Sequence, residues 1–116
     1  MVVTQVVPLP YEPSLPVVAA YQAALRAHAP DTGFGFISLE GYLVGRLAVA
    51  ALGRLSGEPS RAALQAVFTR EVSFDLGGMT LRYAPERNYG SDAVFLTMLQ
   101  PDGKFRQLTT LPRLAG

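Results

Sequence analysis

The sequence lacks cysteine altogether and has a single histidine among its 116 residues. Without cysteine, neither a disulfide framework nor a thiolate zinc site can form, although the redox compartment stays open. The histidine, His28, falls on the predicted apolar side of a helix and has no acidic neighbour in the sequence. We therefore interpret it as a structural residue and not as a catalytic base or a metal ligand.

A large charge of either sign is also missing. Ten basic and nine acidic residues give a formal net charge of +1, and the basic residues are scattered along the chain, which argues against nucleic acid as a partner. The carboxylates have neither the spacing of a calcium loop nor a helical pairing with the histidine. The segment "TGFGFIS" lacks the third glycine and the lysine of a phosphate loop. We expect no enzyme activity, no cofactor and no metal site.

Apolar residues, in contrast, are abundant: 49% of the chain is hydrophobic and only 16% is charged, so part of this surface is expected to contact a partner. The longest apolar stretch, "SLEGYLVGRLAVAAL" at residues 38–52, is short for a membrane span and carries Glu40 and Arg46. We interpret it as a core helix in which Gly41 and Gly45 let another backbone approach closely. The opening "MVVTQVVPLP" lacks the pattern of a secretory signal, so an exported protein would need a leader outside this chain.

The predicted elements follow the order β, α, β, α, α and then three or four strands, which is typical of an α/β fold. "VVTQVV" predicts a buried strand that continues into the stiff connector "PLPYEP". Ser14 is expected to cap the first helix, and "FGFIS" is expected to form a strand leading into the second helix, capped by Ser38. The predicted apolar stripe of the first helix contains Val17, Tyr21, Ala24 and His28.

The second half of the chain predicts a third helix and then strands. "SRAALQAVFTREV" forms this helix, with Ser60 as its cap and an apolar inner face. "MTLRYAP" alternates as a strand with one wet face, and "PDG" is suited to a tight turn between the strands "AVFLTMLQ" and "KFRQLTTL". The inner face of the third helix comprises Ala63, Leu64, Val67 and Phe68.

The residues around "FGFIS" form the candidate binding site. In open α/β sheets, ligands bind where a strand ends and the next helix begins. Phe34 and Phe36 could wall an apolar pocket there, and the hydroxyl of Ser38 with the helix amides could hold a carboxylate. The alternative, an ordinary helix cap beside core aromatic residues, remains open on the residues alone.

Two stretches, "SLEGYLVGRLAVAAL" and "FDLGGMTLRYAPERNYGSDAVFLTMLQPDGKFRQL", resemble the C-terminal portion of the periplasmic binding proteins of branched-chain amino acid ABC transporters, the leucine/isoleucine/valine-binding type. "VVTQVVPLPYEPSLPVVAAYQAALRAHAP" resembles the strand, crossover and helix that precede these motifs in that family. The resemblance implies part of a lobe of the type I periplasmic binding fold, and it places the family's ligand-contacting aromatic residue on or beside Phe36.

The same resemblance divides the chain into three segments. Residues 1–11 would form a strand and a hinge crossover, residues 12–88 part of the N-terminal lobe, and residues 89–116 the next crossover and a C-terminal hairpin. The hinge residues implied in this way are Pro8, Pro10, Tyr11, Tyr89, Gly90 and Ser91.

The function implied is that of an extracytoplasmic solute receptor, periplasmic or anchored at the cell surface, which binds an amino acid or related carboxylate and presents it to an ABC permease. Two alternatives stay open. One is a sensory or regulatory ligand-binding domain of the same fold, and the other is a freestanding α/β interaction module.

The resemblance also implies that strands earlier in the family's lobe would cover the glycine face of the second helix. We therefore expect that this chain alone binds amino acids poorly and that it self-associates or exchanges strands. Light scattering at micromolar concentration should detect dimers or larger species. A well-behaved monomer would contradict this expectation.

Overall fold

A computed structural model describes residues 1–110 and contains three helices and five short strands. Residues 111–116, which end the predicted third segment and its last strand, lie outside the described residues. In chain order the elements are β1 (Val2–Gln5), α1 (Pro16–His28), α2 (Phe36–Leu52), α3 (Arg61–Phe68), β2 (Val72–Asp75), β3 (Thr80–Tyr83), β4 (Phe95–Leu99) and β5 (Phe105–Leu108).

The first sheet joins the two ends of the described chain. Its strand order is β1-β4-β5, and both pairings are antiparallel. The predicted hairpin is confirmed: β4 and β5 flank a turn in which Gly103 has a φ of 80° and the Lys104 amide donates to Asp102 Oδ1 at 3.0 Å. Contrary to the prediction of a buried strand, β1 is an edge strand of this sheet and alternates exposed and half-buried residues.

The second sheet pairs β2 with β3, and its turn caps helix α1. The Val17 amide donates to the Gly77 carbonyl at 2.9 Å. The prediction that Ser14 caps the helix is therefore wrong. The cap position is Leu15, whose side chain makes no capping hydrogen bond. The Gly77 carbonyl, distant in sequence, accepts from the first turn of the helix instead. Gly77 has a φ of 103°, and a Cβ there would lie 3.1 Å from the Val17 nitrogen, so only glycine fits this close approach.

The predicted strand "FGFIS" does not form, because helix α2 already begins at Phe36. Phe36 lies three residues before buried Leu39 and seven before buried Leu43, which is helical spacing, so it forms part of the helix. Gly35, and not the predicted Ser38, occupies the cap position. The order of elements is thus β, α, α, α and then four strands, and both sheets are antiparallel.

Helix α1 buries a different face from the one predicted. Val17 and Tyr21 are buried as expected, but Ala24 and His28 are exposed. The buried face includes Val18 and Gln22 instead. In α3 the predicted cap and inner face hold: Ser60 accepts a hydrogen bond from the Ala63 amide at 3.0 Å, and the predicted inner residues are buried or half-buried. The helix is shorter than predicted, because it ends at Phe68 and Val72 already pairs with Tyr83 in β2.

The hydrophobic core lies between the three helices and the second sheet. Phe74 of β2, 2% exposed, packs its ring 5.8 Å from that of Phe68 on α3. Tyr83 of β3 closes this aromatic cluster at 5.0 Å from Phe68. The buried members of the core are Val7, Val17, Val18, Tyr21, Leu39, Leu43, Ala51, Val67, Val72, Phe74 and Leu76. We call the helices and the second sheet the helical body.

The outer face of α2 is apolar and uncovered. Ile37, Val44 and Val49 are 88%, 61% and 70% exposed, and no other atom would lie within 4 Å of a Cβ at Gly41 or Gly45. The predicted close approach at these glycines is therefore absent from the described chain, because α2 packs through its opposite face. No helix within residues 1–110 has the length and apolarity to cross a membrane.

The molecule is extended for its size. Its radius of gyration is 16.9 Å, whereas a compact domain of this length would have about 13 Å. Its accessible surface is 7965 Å², about 30% more than the ~6,200 Å² expected for a compact monomer of this mass. The first sheet projects from the helical body, and this shape leaves much surface uncovered.

Two valines on helices test this account of the core. Val18 is 0% exposed and Val49 is 70% exposed. Val18→Ala should lower the free energy of unfolding by about 2 kcal/mol, through lost burial and the cavity left behind. Val49→Ala should change it by less than about 0.5 kcal/mol. Chemical denaturation followed by circular dichroism measures both, and equal losses would contradict the assigned core.

Candidate ligand-binding site

Two connections join the first sheet to the helical body, and they start side by side. Gln5, the last residue of β1, pairs with Phe95, the first residue of β4. The chain therefore leaves the sheet and returns to it at neighbouring points. Segment 6–15 forms the outward connection and segment 84–94 the return connection. The predicted hinge residues all lie in these two connections, and we call the region between the first sheet and the helical body, which both connections cross, the junction.

The outward connection is held against the helical body. Pro8, Leu9 and Pro10 are buried, and the buried Gln22 of α1 donates through Nε2 to the Pro10 carbonyl at 2.8 Å. Because three proline residues stiffen this segment, its direction is set as it enters the body. Tyr11 follows, half-buried, at the junction itself.

The return connection is anchored to β3. The Arg82 amide donates to the Gly90 carbonyl at 2.8 Å, and a Cβ on Gly90 would lie 2.7 Å from the Tyr83 hydroxyl, so the chain passes directly over that side chain. Arg87 donates to the carbonyls of Arg82 and Tyr89 and pairs with Asp92 at 3.1 Å. Ser91 accepts from the Ala93 amide at 3.0 Å.

Three aromatic side chains from three different elements meet at the junction. Phe36 begins α2, and its ring centroid lies 6.4 Å from Tyr11 and 5.4 Å from Phe105, both in edge contacts. Tyr11 comes from the outward connection and Phe105 from β5. We call this set the aromatic trio. It connects the helical body with the first sheet, so a movement of one part relative to the other would change the distances between its rings.

Phe105 was absent from the sequence predictions. Its strand was recognised, but a short strand pattern does not say which other elements its side chains contact. The distance in sequence between Phe36 and Phe105 leaves no local signal. Only the pairing of β5 with β4 and the position of α2 beside the first sheet bring Phe105 to Phe36.

The predicted site residue Ser38 belongs to a different set of contacts. Its hydroxyl lies 2.6 Å from the hydroxyl of buried Tyr21 and 3.2 Å from the Gly35 carbonyl. Tyr21 also accepts from the Gly35 amide at 3.1 Å. These bonds fix the start of α2 on α1, so Ser38 helps to orient the neighbouring Phe36.

Phe34 also lies apart from the aromatic trio. Its ring packs 5.9 Å from Tyr21, and the guanidinium of Arg26 covers it at 4.9 Å. The two predicted aromatic residues therefore have different surroundings: Phe36 faces the junction and Phe34 faces α1. Their roles in ligand binding stay predictions.

A groove of about 490 Å³ runs beside the two connections. It is mostly apolar and is bounded by α2, β3 and both connections, including Val6, Val44 and Val94, each about 60% exposed. Glu40 is the acidic residue of α2 at its edge. Within residues 1–110, no group of three or more histidine, aspartate or glutamate side chains could hold a metal ion.

No protein-family model and no curated protein matches this chain. Several solved structures do match it. A possible leucine/isoleucine/valine-binding protein from Rhodopirellula baltica SH 1 is 35% identical over 94% of this chain, with a TM-score of 0.86. An extracellular ligand-binding receptor from Verminephrobacter eiseniae is 30% identical over 90%, with a TM-score of 0.79. A substrate-binding periplasmic protein from Ralstonia solanacearum is 25% identical over 92%, with a TM-score of 0.79.

These structures confirm the resemblance predicted from the sequence. The chain has the fold of one part of the leucine/isoleucine/valine-binding type of protein, a partial lobe of the type I periplasmic binding fold. It spans 29%, 30% and 31% of the three neighbours' own chains. All three are described as binding or receptor proteins, which supports a ligand-binding role.

The hydroxyl of Tyr21 tests how α2 is positioned. Tyr21→Phe keeps the ring but removes the partner of Ser38 and of the Gly35 amide, so we expect a loss of about 1–2 kcal/mol in the free energy of unfolding. The matched change Tyr89→Phe affects a residue that is 53% exposed and should cost less than about 0.5 kcal/mol. Denaturant titration compares the two, and an unchanged stability of Tyr21→Phe would refute this role.

Proposed function

We propose that this chain is part of an extracytoplasmic solute-binding receptor, the subunit that captures a branched-chain or related amino acid and delivers it to an ABC permease. The ligand would bind against Phe36 at the junction, between the helical body and the part of the protein that contains the first sheet. An amino acid held from both sides would stabilise a closed arrangement more than an open one, so binding would shift the population toward closure.

The observation that carries this proposal is the aromatic trio. Its three rings come from the helical body, a connection and the first sheet. Bending at the two connections would change the distance between Phe36 and Phe105. Such a site can therefore couple ligand contact to hinge motion, with the bends at Pro8, Pro10, Tyr11, Tyr89, Gly90 and Ser91.

The neighbours support the proposed location. Two of them are described as periplasmic or extracellular proteins, which supports an extracytoplasmic location here. The permease, the amino acid specificity and the hinge movement are parts of the proposal. So is self-association of the chain when it stands alone, for which the uncovered face of α2 is the support.

A segment exchange tests the proposal. Residues 1–110 would replace the matching 29% of the Rhodopirellula baltica protein. If the chain supplies a working part of the receptor, the exchanged protein should show a higher unfolding midpoint with leucine, isoleucine or valine. Linkage gives a stabilisation of about 2.7 kcal/mol when the ligand is present at about one hundred times its Kd.

Two phenylalanine variants of the exchanged protein sharpen this test. Phe36→Ala should weaken binding by about tenfold, since it removes an aromatic wall of the site. Phe34→Ala is the matched control and should change the affinity much less, because Phe34 packs on Tyr21 and Arg26. A folded exchanged protein that binds none of the three amino acids, or that binds equally well with Phe36→Ala, would refute the proposed site.

A further inference from the structure

A second groove lies between α1 and α2, separate from the aromatic trio. Its volume is about 320 Å³, which is within the lower range of small-molecule sites. We call it the α1–α2 groove. It shares no residue with the aromatic trio or with the larger groove beside the connections. Its lining residues are Tyr21, Ala24, Leu25, His28, Ser38 and Tyr42.

The floor of the α1–α2 groove is apolar and partly aromatic. The rings of Tyr21 and Tyr42 lie 5.8 Å apart at 57°, and Ala24 leaves space between the two helices. The Tyr21 hydroxyl is already bonded to Ser38 and Gly35. An apolar group bound in the groove would therefore contact the tyrosine rings and the Ala24 methyl group and would leave these hydrogen bonds in place.

Two arginines lie near the groove, although neither lines it. Arg46 donates through Nη1 to the Tyr42 hydroxyl at 3.1 Å, and Arg26 covers Phe34, which packs against Tyr21. No carboxylate lines the groove. Within the described residues, the one salt bridge joins Arg87 to Asp92, so neither of these two arginines has an acidic partner there.

We propose that the α1–α2 groove binds a small aromatic carboxylate, with its ring on the tyrosine floor and its carboxylate toward Arg46 or Arg26. Arginine resting on an aromatic ring is weakly hydrated and suits a planar carboxylate. A zwitterionic amino acid fits this groove poorly, because no carboxylate lines it to pair with the ammonium group. The groove therefore differs in ligand chemistry from the amino acid site proposed at Phe36, and it does not depend on that proposal.

Phenylacetate is the probe, titrated into the isotope-labelled full chain and followed by amide NMR shifts. We expect saturable shifts at Ala24, Leu25 and Tyr42 that weaken as salt is added. Phenylacetamide has the same ring without the charge and should bind at least threefold more weakly. Arg46→Gln should lower the phenylacetate affinity by about threefold, which is within the range for an exposed ion pair. Arg61→Gln, an exposed arginine at the start of α3, is the matched control and should have no effect.

Filling the groove gives a second test. Ala24→Leu should abolish binding, whereas Ala23→Leu, at the adjacent exposed position, should not; both changes suit a helix, so circular dichroism should show both folded. Equal binding of phenylacetate and phenylacetamide, or equal binding by the Ala24 and Ala23 variants, would overturn the proposal. So would shifts confined to Tyr11, Phe36 and Phe105, which would place the anion at the junction instead.

Discussion

The antiparallel pairing of β1 with β4 is the interaction on which the arrangement of this protein depends. It joins residues far apart in the sequence, and buried Thr97 reinforces it by donating to the Val3 carbonyl at 2.8 Å. Because Gln5 lies opposite Phe95, the outward and return connections share one junction. The first sheet and the helical body are therefore linked by two neighbouring segments of chain.

Within the helical body, α1 organises the rest through two tertiary contacts at its N-terminal half. The turn between β2 and β3 caps its start through Gly77, and Tyr21 on its buried face holds the start of α2. Both contacts replace capping side chains that helices commonly supply locally. The position of Phe36 thus depends on α1, and the aromatic trio depends on both the helical body and the first sheet.

The surface of the molecule has two kinds of uncovered region. The outer face of α2 combines large exposed aliphatic residues with glycine, which suits packing against more protein. The α1–α2 groove instead combines an aromatic floor with arginine. The extended shape and the excess of accessible surface agree with a chain that spans about 30% of its structural neighbours.

The sequence by itself determined the elements whose signals are local. Ser60 predicted the cap of α3, the alternation at residues 79–85 predicted β3, and "PDG" predicted the hairpin, because capping bonds, strand periodicity and tight turns involve nearby residues. The ordered motifs also predicted the type I periplasmic binding fold. Tertiary structure alone decided the start of α2, the cap of α1 and the meeting of Phe36 with Phe105. These features come from contacts between residues distant in sequence, for which a short segment such as "FGFIS" carries no signal.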